Sequence, residues 1–222
     1  MNHPSGLEFA FMNTPPKTLK PRKSPVQARS AATVAALHTA TIQVLTQEGL
    51  ARCNTTRVAE RAGMSVGSVY QYYPNRDALL ATVLAHHLER VATAVEEVCA
   101  ACQGQPVDVM AARLVKEFLA AKLHDTEESK ALYRVAAERD GARVVAIVHR
   151  RMSAAVSTML VSAPDAQFKD PDVTAAIALG ALAGPVRALL EGLSSPEFDQ
   201  HLPEQLTLLL QGYFRRGGGD PA

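Results

Sequence analysis

Hydrophobic residues recur every three to four positions along most of the chain, which is the period of an amphipathic α-helix. No stretch of useful length alternates with the period of a β-strand. The pattern predicts two short helices between residues 55 and 73 and seven longer ones, at 24–48, 75–102, 107–123, 127–138, 141–161, 172–193 and from Pro203 onwards. The chain is therefore expected to be all-α.

The two short helices are predicted to meet at a tight turn. Thr55 is expected to cap the first, and Gly63 to end it, since the residue just past a helix often needs the positive φ that glycine accepts. Ser65 is expected to cap the second, which stops before Pro74 because proline disfavours α geometry in the preceding residue. Two helices joined by such a turn form the helix-turn-helix pattern, whose second helix enters the major groove of DNA.

The second short helix has an unusual surface. Gly67 costs about 1 kcal/mol relative to alanine in a helix, and close approach of the backbone to another surface is the usual compensation. Neighbouring hydroxyl, amide and guanidinium groups can bind phosphates or base edges; they belong to Ser65, Ser68, Gln71, the tyrosines, Arg57, Arg61 and Arg76. The alternative interpretation is a solvated helical hairpin whose tyrosines pack on a core.

Residues 55–80, TTRVAERAGMSVGSVYQYYPNRDALL, resemble the DNA-binding signature of the TetR/AcrR family of bacterial transcriptional regulators. The similarity extends back to about Val34 and covers about a quarter of the chain. Tyr73 and Arg76 stand where the family often has Phe and Lys. The resemblance, with the surface chemistry above, predicts DNA contacts at Thr55, Thr56, Arg57, Ser65, Val66, Gly67, Ser68, Tyr70, Gln71, Tyr72 and Arg76.

The resemblance implies an N-terminal three-helix DNA-binding domain joined by a long helix to a C-terminal helical bundle for ligand binding and dimerisation. We expect a disordered basic arm at 1–23, the helix-turn-helix domain at 24–74, the ligand-binding and dimerisation domain at 75–216 and a flexible tail at 217–222. The arm is either a solubilising tail or a segment that follows the DNA backbone or minor groove. The helix from residue 75 would span roughly 40 Å and act as a lever between the two halves.

Charge and composition agree with this interpretation. The first 90 residues hold ten Lys/Arg against five Asp/Glu, while the remainder holds thirteen against seventeen, so the positive charge lies in the part expected to meet DNA. Three cysteines cannot form a disulfide framework, which favours a reducing cytoplasm. No apolar run is expected to cross a membrane.

The sequence offers little catalytic chemistry. It has no phosphate-binding loop, dinucleotide fingerprint, nucleophile elbow or zinc-protease motif, so no catalytic residue and no cofactor are predicted. Cys99 and Cys102 have the spacing of a metal or redox pair but lack a second pair, and the adjacent His86 and His87 point to different helix faces. We therefore predict no metal site.

The second half presents apolar stripes that form either a plain core or a pocket between helices. By resemblance this half binds small hydrophobic molecules, and the last two helices form the interface of a homodimer. The predicted pocket residues are Met110, Leu114, Phe118, Tyr133 and Met152. The expected function is a repressor released from a palindromic operator by a small hydrophobic effector; the alternatives are control by a protein partner or a metal, and an enzyme.

Overall fold

A computed structural model describes residues 28–218 of the chain, and that part is built entirely from helices. This confirms the all-α prediction. A 3₁₀ turn at Leu50–Arg52 follows the first helix. The α-helices are α1 (Ala28–Glu48), α2 (Thr55–Arg61), α3 (Val66–Tyr72), α4 (Arg76–Ala101), α5 (Val107–Leu123), α6 (Thr126–Ala136), α7 (Arg139–Val161), α8 (Pro171–Leu190) and α9 (Pro196–Gly217). The predicted arm at 1–23, the helix start at Ser24 and residues 219–222 lie outside the described residues.

Side-chain caps set the boundaries of the two short helices. Asn54, not Thr55, caps α2, since its Oδ1 accepts the backbone N–H of Arg57 at 2.9 Å. Both residue types are good caps, and the earlier start makes Thr55 the first helical residue, with its side chain buried. Gly63 takes φ 65° after α2, and Ser65 caps α3 through the N–H of Ser68, as the sequence predicts.

The core beneath the short helices contains a polar contact. Tyr73 is fully buried, and its hydroxyl lies 2.8 Å from Nε2 of His38 on α1. The His38 ring also meets the edge of His86 on α4, with 5.6 Å between ring centroids. Burial, helped by His86, lowers the pKa of His38 to about 4, so the imidazole is neutral at pH 7.

Helix α4 belongs to both halves of the molecule. Asn75 caps it through the N–H of Ala78, and its 26 residues give a length of about 39 Å. Its apolar residues pack against α1 at one end and against α5, α6 and α7 along the rest. One continuous cluster of buried side chains therefore runs from Leu37 on α1 to Phe214 on α9.

The C-terminal helices pair closely, α5 with α9 and α7 with both α4 and α8. Ion pairs at the surface also connect these paired helices. Arg151 of α7 binds Glu89 and Glu96 of α4, and Arg215 of α9 binds Asp108 of α5. Exposed pairs of this kind contribute little each, and the shared apolar faces supply most of the stability.

The last helix differs from its prediction at both ends. It begins at Pro196, with Ser195 as its cap, and Pro203 lies inside it. The proline is tolerated because Asp199, whose carbonyl loses its partner, is exposed and can bind water. At the other end the helix continues to Gly217, and the carbonyl of Gly218 accepts the N–H of Gln167 at 2.6 Å.

Residues 140–161 of α7 and the whole of α8 are long and apolar enough, by composition, to cross a membrane. This corrects the expectation that no segment qualifies. Core helices of helical bundles have the same composition, and α7 and α8 pack on each other within the bundle.

Candidate DNA-binding surface and ligand cavity

Helix α3 has an inner face that packs on the core and an outer face that is exposed to solvent. Val69 is fully buried against the core, whereas Gly67, Gln71 and Tyr70 lie on the outside, with Tyr70 42% exposed. The outer face therefore carries hydroxyl and amide groups around a glycine. That is the chemistry a helix needs to contact phosphates and base edges.

Nothing in the fold of the described chain requires a glycine at position 67. Its φ is not positive, and a Cβ built on it would meet only the Ser65 Oγ, at an ordinary 3.7 Å. Neither backbone conformation nor packing within the described chain requires the missing side chain. The glycine therefore costs about 1 kcal/mol relative to alanine, and no contact within the described chain offsets that cost.

The tyrosines on α3 are held by hydroxyl contacts to neighbouring helices. The hydroxyl of Tyr70 lies 3.3 Å from that of Thr55 on α2, and the hydroxyl of Ser30 on α1 donates to Tyr72 at 3.5 Å. These contacts orient both rings before any partner arrives. Thr56 is exposed at the start of α2, and Val66 packs partly on the core.

The arginines of α2 are already paired inside the protein. Arg57 binds Glu60 at 3.1 Å and Glu48 at 3.2 Å, and Arg61 binds Gln47 at 2.6 Å. The positive charge that the sequence places here is therefore partly neutralised in the free protein. A DNA phosphate at Arg57 would have to compete with these carboxylates.

Arg76, which the sequence predicts to contact DNA, has several partners inside the protein. Its Nε donates to the carbonyl of Cys53 at 2.6 Å and its Nη2 to the carbonyl of Leu50 at 3.0 Å. The guanidinium also contacts Glu138, between α6 and α7, at 3.4 Å. Arg76 thus joins the helix-turn-helix unit to the C-terminal bundle, and few of its donors remain for a phosphate.

A partly open cavity with a volume of about 120 Å³ lies in the C-terminal bundle, lined by residues of α4, α5, α6, α7 and α8. Of the five predicted pocket residues, Phe118, Tyr133 and Met152 line it. Met110 and Leu114 do not, because the stripe that they share with Phe118 meets the cavity only at the C-terminal end of α5; both are fully buried in the closed core. The rest of the lining is largely aliphatic, with a few polar side chains.

Those polar side chains come from four helices, and sequence reasoning did not select them. Lys122 of α5, His87 of α4, Ser129 of α6 and His149 of α7 all line the cavity. Lys122 follows Phe118 by four residues, so it continues the stripe of Met110 and Leu114. A lysine at a position of this apolar stripe is the sequence signal that could have identified Lys122 as a pocket residue.

His87 and Ser129 are tied into a network beside the cavity. Nδ1 of His87 lies 3.0 Å from Glu128, which also accepts from Arg90 at 2.7 Å. The bond with His87, and then Arg90, holds the pKa of Glu128 below its usual range. The Ser129 hydroxyl donates to the Lys122 carbonyl at 2.8 Å.

Lys122 has a different environment. Burial lowers the pKa of its ammonium to about 8, and its Nζ lies 4.9 Å above the ring of Tyr133. No carboxylate of the described chain lies within ion-pair distance of it.

Within residues 28–218 no group of three or more His, Cys, Asp or Glu side chains could hold a metal ion. Cys53, Cys99 and Cys102 are free and buried. Burial raises the pKa of Cys53 to about 11 and that of Cys99 to about 12, so these thiols are unreactive.

Helices α8 and α9 each expose an apolar stripe. Val173 and Ile177 on α8 are both 51% exposed, and Leu208 and Leu209 on α9 are similarly open. Exposed glycines continue each stripe, and a Cβ added at Gly180, Gly184 or Gly212 would meet no atom within 4 Å.

Two family models match the chain, one in each half. The model of the bacterial regulatory proteins of the tetR family matches residues 37–83, which include α2 and α3. The model of the tetracyclin repressor-like C-terminal domain matches residues 106–214, which include α5 to α8 and most of α9. No curated protein matches the chain significantly.

Solved structures share the fold along most of the chain. A candidate TetR-family transcriptional regulator from Mesorhizobium loti is 20% identical, with a TM-score of 0.72 over 86% of this chain and 100% of its own. A TetR-family transcriptional regulator from Streptomyces coelicolor is 23% identical, with a TM-score of 0.61 over 83% of this chain and 99% of its own. The multidrug binding protein EbrR, complexed with imidazole, is 22% identical, with a TM-score of 0.61 over 85% and 96%.

Proposed function

Since the chain belongs to the TetR family of bacterial transcriptional regulators, we propose that it is a cytoplasmic, homodimeric repressor that a small hydrophobic effector releases from a palindromic operator. Proteins of this family are DNA-binding regulators and not enzymes. The observation that carries the proposal is the combination, on one chain, of an open helix-turn-helix surface and an apolar cavity, linked by α4.

Major-groove binding by α3 is supported by the distribution of its side chains. The polar outer face, the unexplained Gly67 and the pre-oriented Tyr70 and Tyr72 suit close approach of the helix backbone to DNA. Thr56, Ser68 and Gln71 would supply further hydrogen bonds. Arg76 is then proposed to act mainly by holding this unit in place, with any phosphate contact secondary.

Dimerisation through α8 and α9 is supported by their exposed stripes. Apolar side chains at half exposure and glycines facing open space are unfavourable in water and suit close packing against another helix. In a symmetric pair, each α8 and α9 would meet the same helices of the second copy. The two α3 helices would then read half-sites about 34 Å apart.

Release by a small molecule is supported by the cavity, which favours a small effector over a protein partner or a metal. It borders the same α4 that begins beside α3. An effector that prefers a conformation with the wrong spacing of the α3 helices would lower the affinity for DNA. The coupling equals its differential affinity for the two states, typically about 1–3 kcal/mol.

The test is selection of bound sequences from random duplex DNA by the purified protein, followed by mapping of the sites in the genome. We expect inverted repeats whose half-sites lie one helical turn apart, and increased transcription of the neighbouring genes when the regulator is deleted. Enrichment of unpaired half-sites would contradict the dimer, and decreased transcription would contradict repression.

The site assignment needs matched variants on the selected operator. Gln71→Ala should weaken binding strongly, because Gln71 is exposed on the outer face of α3. Gln105→Ala, at an exposed position of the turn after α4, serves as the control and should bind like the wild type. Equal affinities of both variants would remove α3 as the reading helix.

A further inference from the structure

We propose that the ligand of the cavity is a small amphiphilic acid, whose carboxylate pairs with the ammonium of Lys122 and whose apolar body lies among Phe118, Leu132, Val148 and Met152. The inference rests on the proposed function only for its regulatory meaning. Binding itself can be measured without DNA.

Lys122 is unusually buried for a lysine. The residue is only 8% exposed, although lysine is among the residues least often buried without a partner. Its Nζ lies over the face of the Tyr133 ring, which stabilises a cation but does not neutralise it. An ammonium in such a place is costly unless an anion joins it.

The carboxylate beside the cavity, that of Glu128, already has other partners. Glu128 is held by His87 at 3.0 Å and by Arg90 at 2.7 Å, and it makes no ion pair with Lys122. The cavity wall therefore presents an unpaired cation against a mainly apolar surface. An apolar residue at position 122 would complete the core at lower cost, so the lysine is best explained by a ligand.

The surface that leads to the cavity also carries positive charge. A shallow depression between α6, α7 and α8 shares Tyr133, Ala136, Val145 and His149 with the cavity, and it also contains Arg150 and Arg187. Arg187 is paired with Glu191 at 2.9 Å, whereas Arg150 makes no ion pair with the described chain. The entrance is thus positive on balance, which attracts anions towards the cavity.

The cavity volume limits the size of the acid. A dry cavity of about 150 Å³ in another protein holds benzene, so the present 120 Å³ suits one ring or a short aliphatic chain. Aryl and medium-chain monocarboxylic acids meet this description. Larger members would need α6 or α7 to move outwards.

The experiment is calorimetric titration of the full-length protein with three matched pairs, each consisting of an acid and its primary amide: benzoate and benzamide, phenylacetate and phenylacetamide, hexanoate and hexanamide. We expect at least one acid to bind at least tenfold more tightly than its amide. Lys122→Met should abolish that preference, and Lys116→Met, at an exposed position of the same helix, should keep it.

Lys122→Met is expected to fold, because replacing an unpaired buried charge by an apolar side chain of similar length is neutral or stabilising. If it does not fold, Lys122→Gln provides the same test. The inference is overturned if amides bind as tightly as acids, if the lysine variant keeps the preference, or if none of the acids binds.

The pH dependence gives a second readout. The titratable and charged groups around Lys122 are His87 and Arg90 of α4, Glu128 and Tyr133 of α6 and His149 of α7. Because burial lowers the pKa of Lys122 to about 8, the acid preference should decline as the pH rises above about 8, while amide binding changes little. An acid preference that persists undiminished at about pH 10 would contradict the assignment to Lys122.

Operator release separates this inference from the proposed function. If acids bind through Lys122 but leave the protein on its operator, the ligand assignment stands and effector-driven release fails. If an uncharged compound binds in the cavity and releases DNA while no acid binds, the proposed function stands and the acid assignment fails.

Discussion

At the scale of single residues, several side chains in the N-terminal half have contacts that separate folding from DNA binding. Gly67 contributes nothing to the fold that alanine could not, while Arg76 and His38 hold helices together. Substitutions at these three positions should therefore affect stability and operator affinity in different proportions.

Gly67→Ala should move the two properties in opposite directions. Alanine fits the helical φ and meets only an ordinary contact, so the melting temperature should rise by the equivalent of about 0.5–1 kcal/mol. Operator affinity should fall at least tenfold because the methyl group holds the helix off the DNA. Thermal unfolding and gel-shift titration of one preparation measure both; unchanged affinity would show that the backbone at Gly67 does not approach DNA.

Arg76→Ala should destabilise the protein as well as weaken operator binding. The guanidinium donates to the carbonyls of Cys53 and Leu50, and loss of charged hydrogen bonds of this kind costs about 1.5–3 kcal/mol. Arg134→Ala, at an exposed arginine of α6, is the control and should change stability by less than about 0.5 kcal/mol. Equal unfolding midpoints in urea would show that Arg76 does not hold the unit in place.

His38 should make stability depend on pH in mildly acidic solution. Its folded pKa of about 4 lies below the ordinary value of 6.5, so the unfolded chain binds the proton first and stability falls as the pH drops from about 6.5 to about 4. His38→Gln should flatten this decline, whereas His201→Gln, at an exposed site, should not. Melting temperatures measured across that interval test the assignment, and parallel curves for the wild type and His38→Gln would refute it.

At the scale of helices, the exposed stripes of α8 and α9 are the features that the monomer leaves unexplained. Gly180 and Gly184 lie four residues apart on α8 and face open space, next to Ile177. Small residues at this spacing let two helices approach closely, so the proposed dimer would account for them.

Gly184→Leu should therefore break the dimer and leave the fold intact. The leucine has room in one chain, since a Cβ at this position meets no atom within 4 Å, but would hold a partner helix away. Ala154→Leu, at an exposed position of α7, is the matched control. Sedimentation should show a monomer only for the first variant, with at least tenfold weaker operator binding; a dimer in both would move the interface away from α8.

The helices could be predicted from the sequence wherever a local signal marks their ends. Ser65 and Gly63 act as predicted, and Asn75 caps α4 where that helix is predicted to start, because a cap or a positive φ depends on neighbours in the chain. Pro203 misled the prediction of α9, although Ser195 and Pro196 form the same start signal seven residues earlier. A proline inside a helix is tolerated or not according to solvent exposure, which a sequence does not display.

The candidate sites were also predictable only where their features depend on residues close together in the chain. The composition of the α3 surface follows from local spacing, but the partners of Arg76 lie in the 3₁₀ turn and beyond α6. In the cavity, the Phe118 stripe was recognisable, whereas the role of Lys122 depends on Glu128 being occupied by His87. Long-range pairing of this kind is set by packing, not by the pattern along one helix.

At the scale of the whole molecule, α4 makes the two functional regions parts of one structure. Its side chains complete the core below α1, α2 and α3 and continue into the bundle around the cavity. If the proposed effector changes the affinity for DNA, then DNA changes the affinity for the effector by the same factor.

A fragment comprising residues 28–74 should accordingly fail to fold alone. It lacks Leu79, Leu80 and Val83, which are buried in the shared cluster, and the small core that α1, α2 and α3 form alone is marginal. Circular dichroism should show little helix and no cooperative melting, whereas a fragment of residues 28–101 should regain both. A folded shorter fragment would make the helix-turn-helix unit independent of α4.

The modification rates of the three buried thiols report how often the structure around each one opens. Cys53 lies near the amino-terminal end of α4, and Cys99 and Cys102 lie at its other end. Because each thiol is buried, a thiol reagent can modify it only after its surroundings have separated. Modification rates at the two ends, followed by mass spectrometry with and without DNA, would reveal which end loosens first and whether occupancy of one end slows the other.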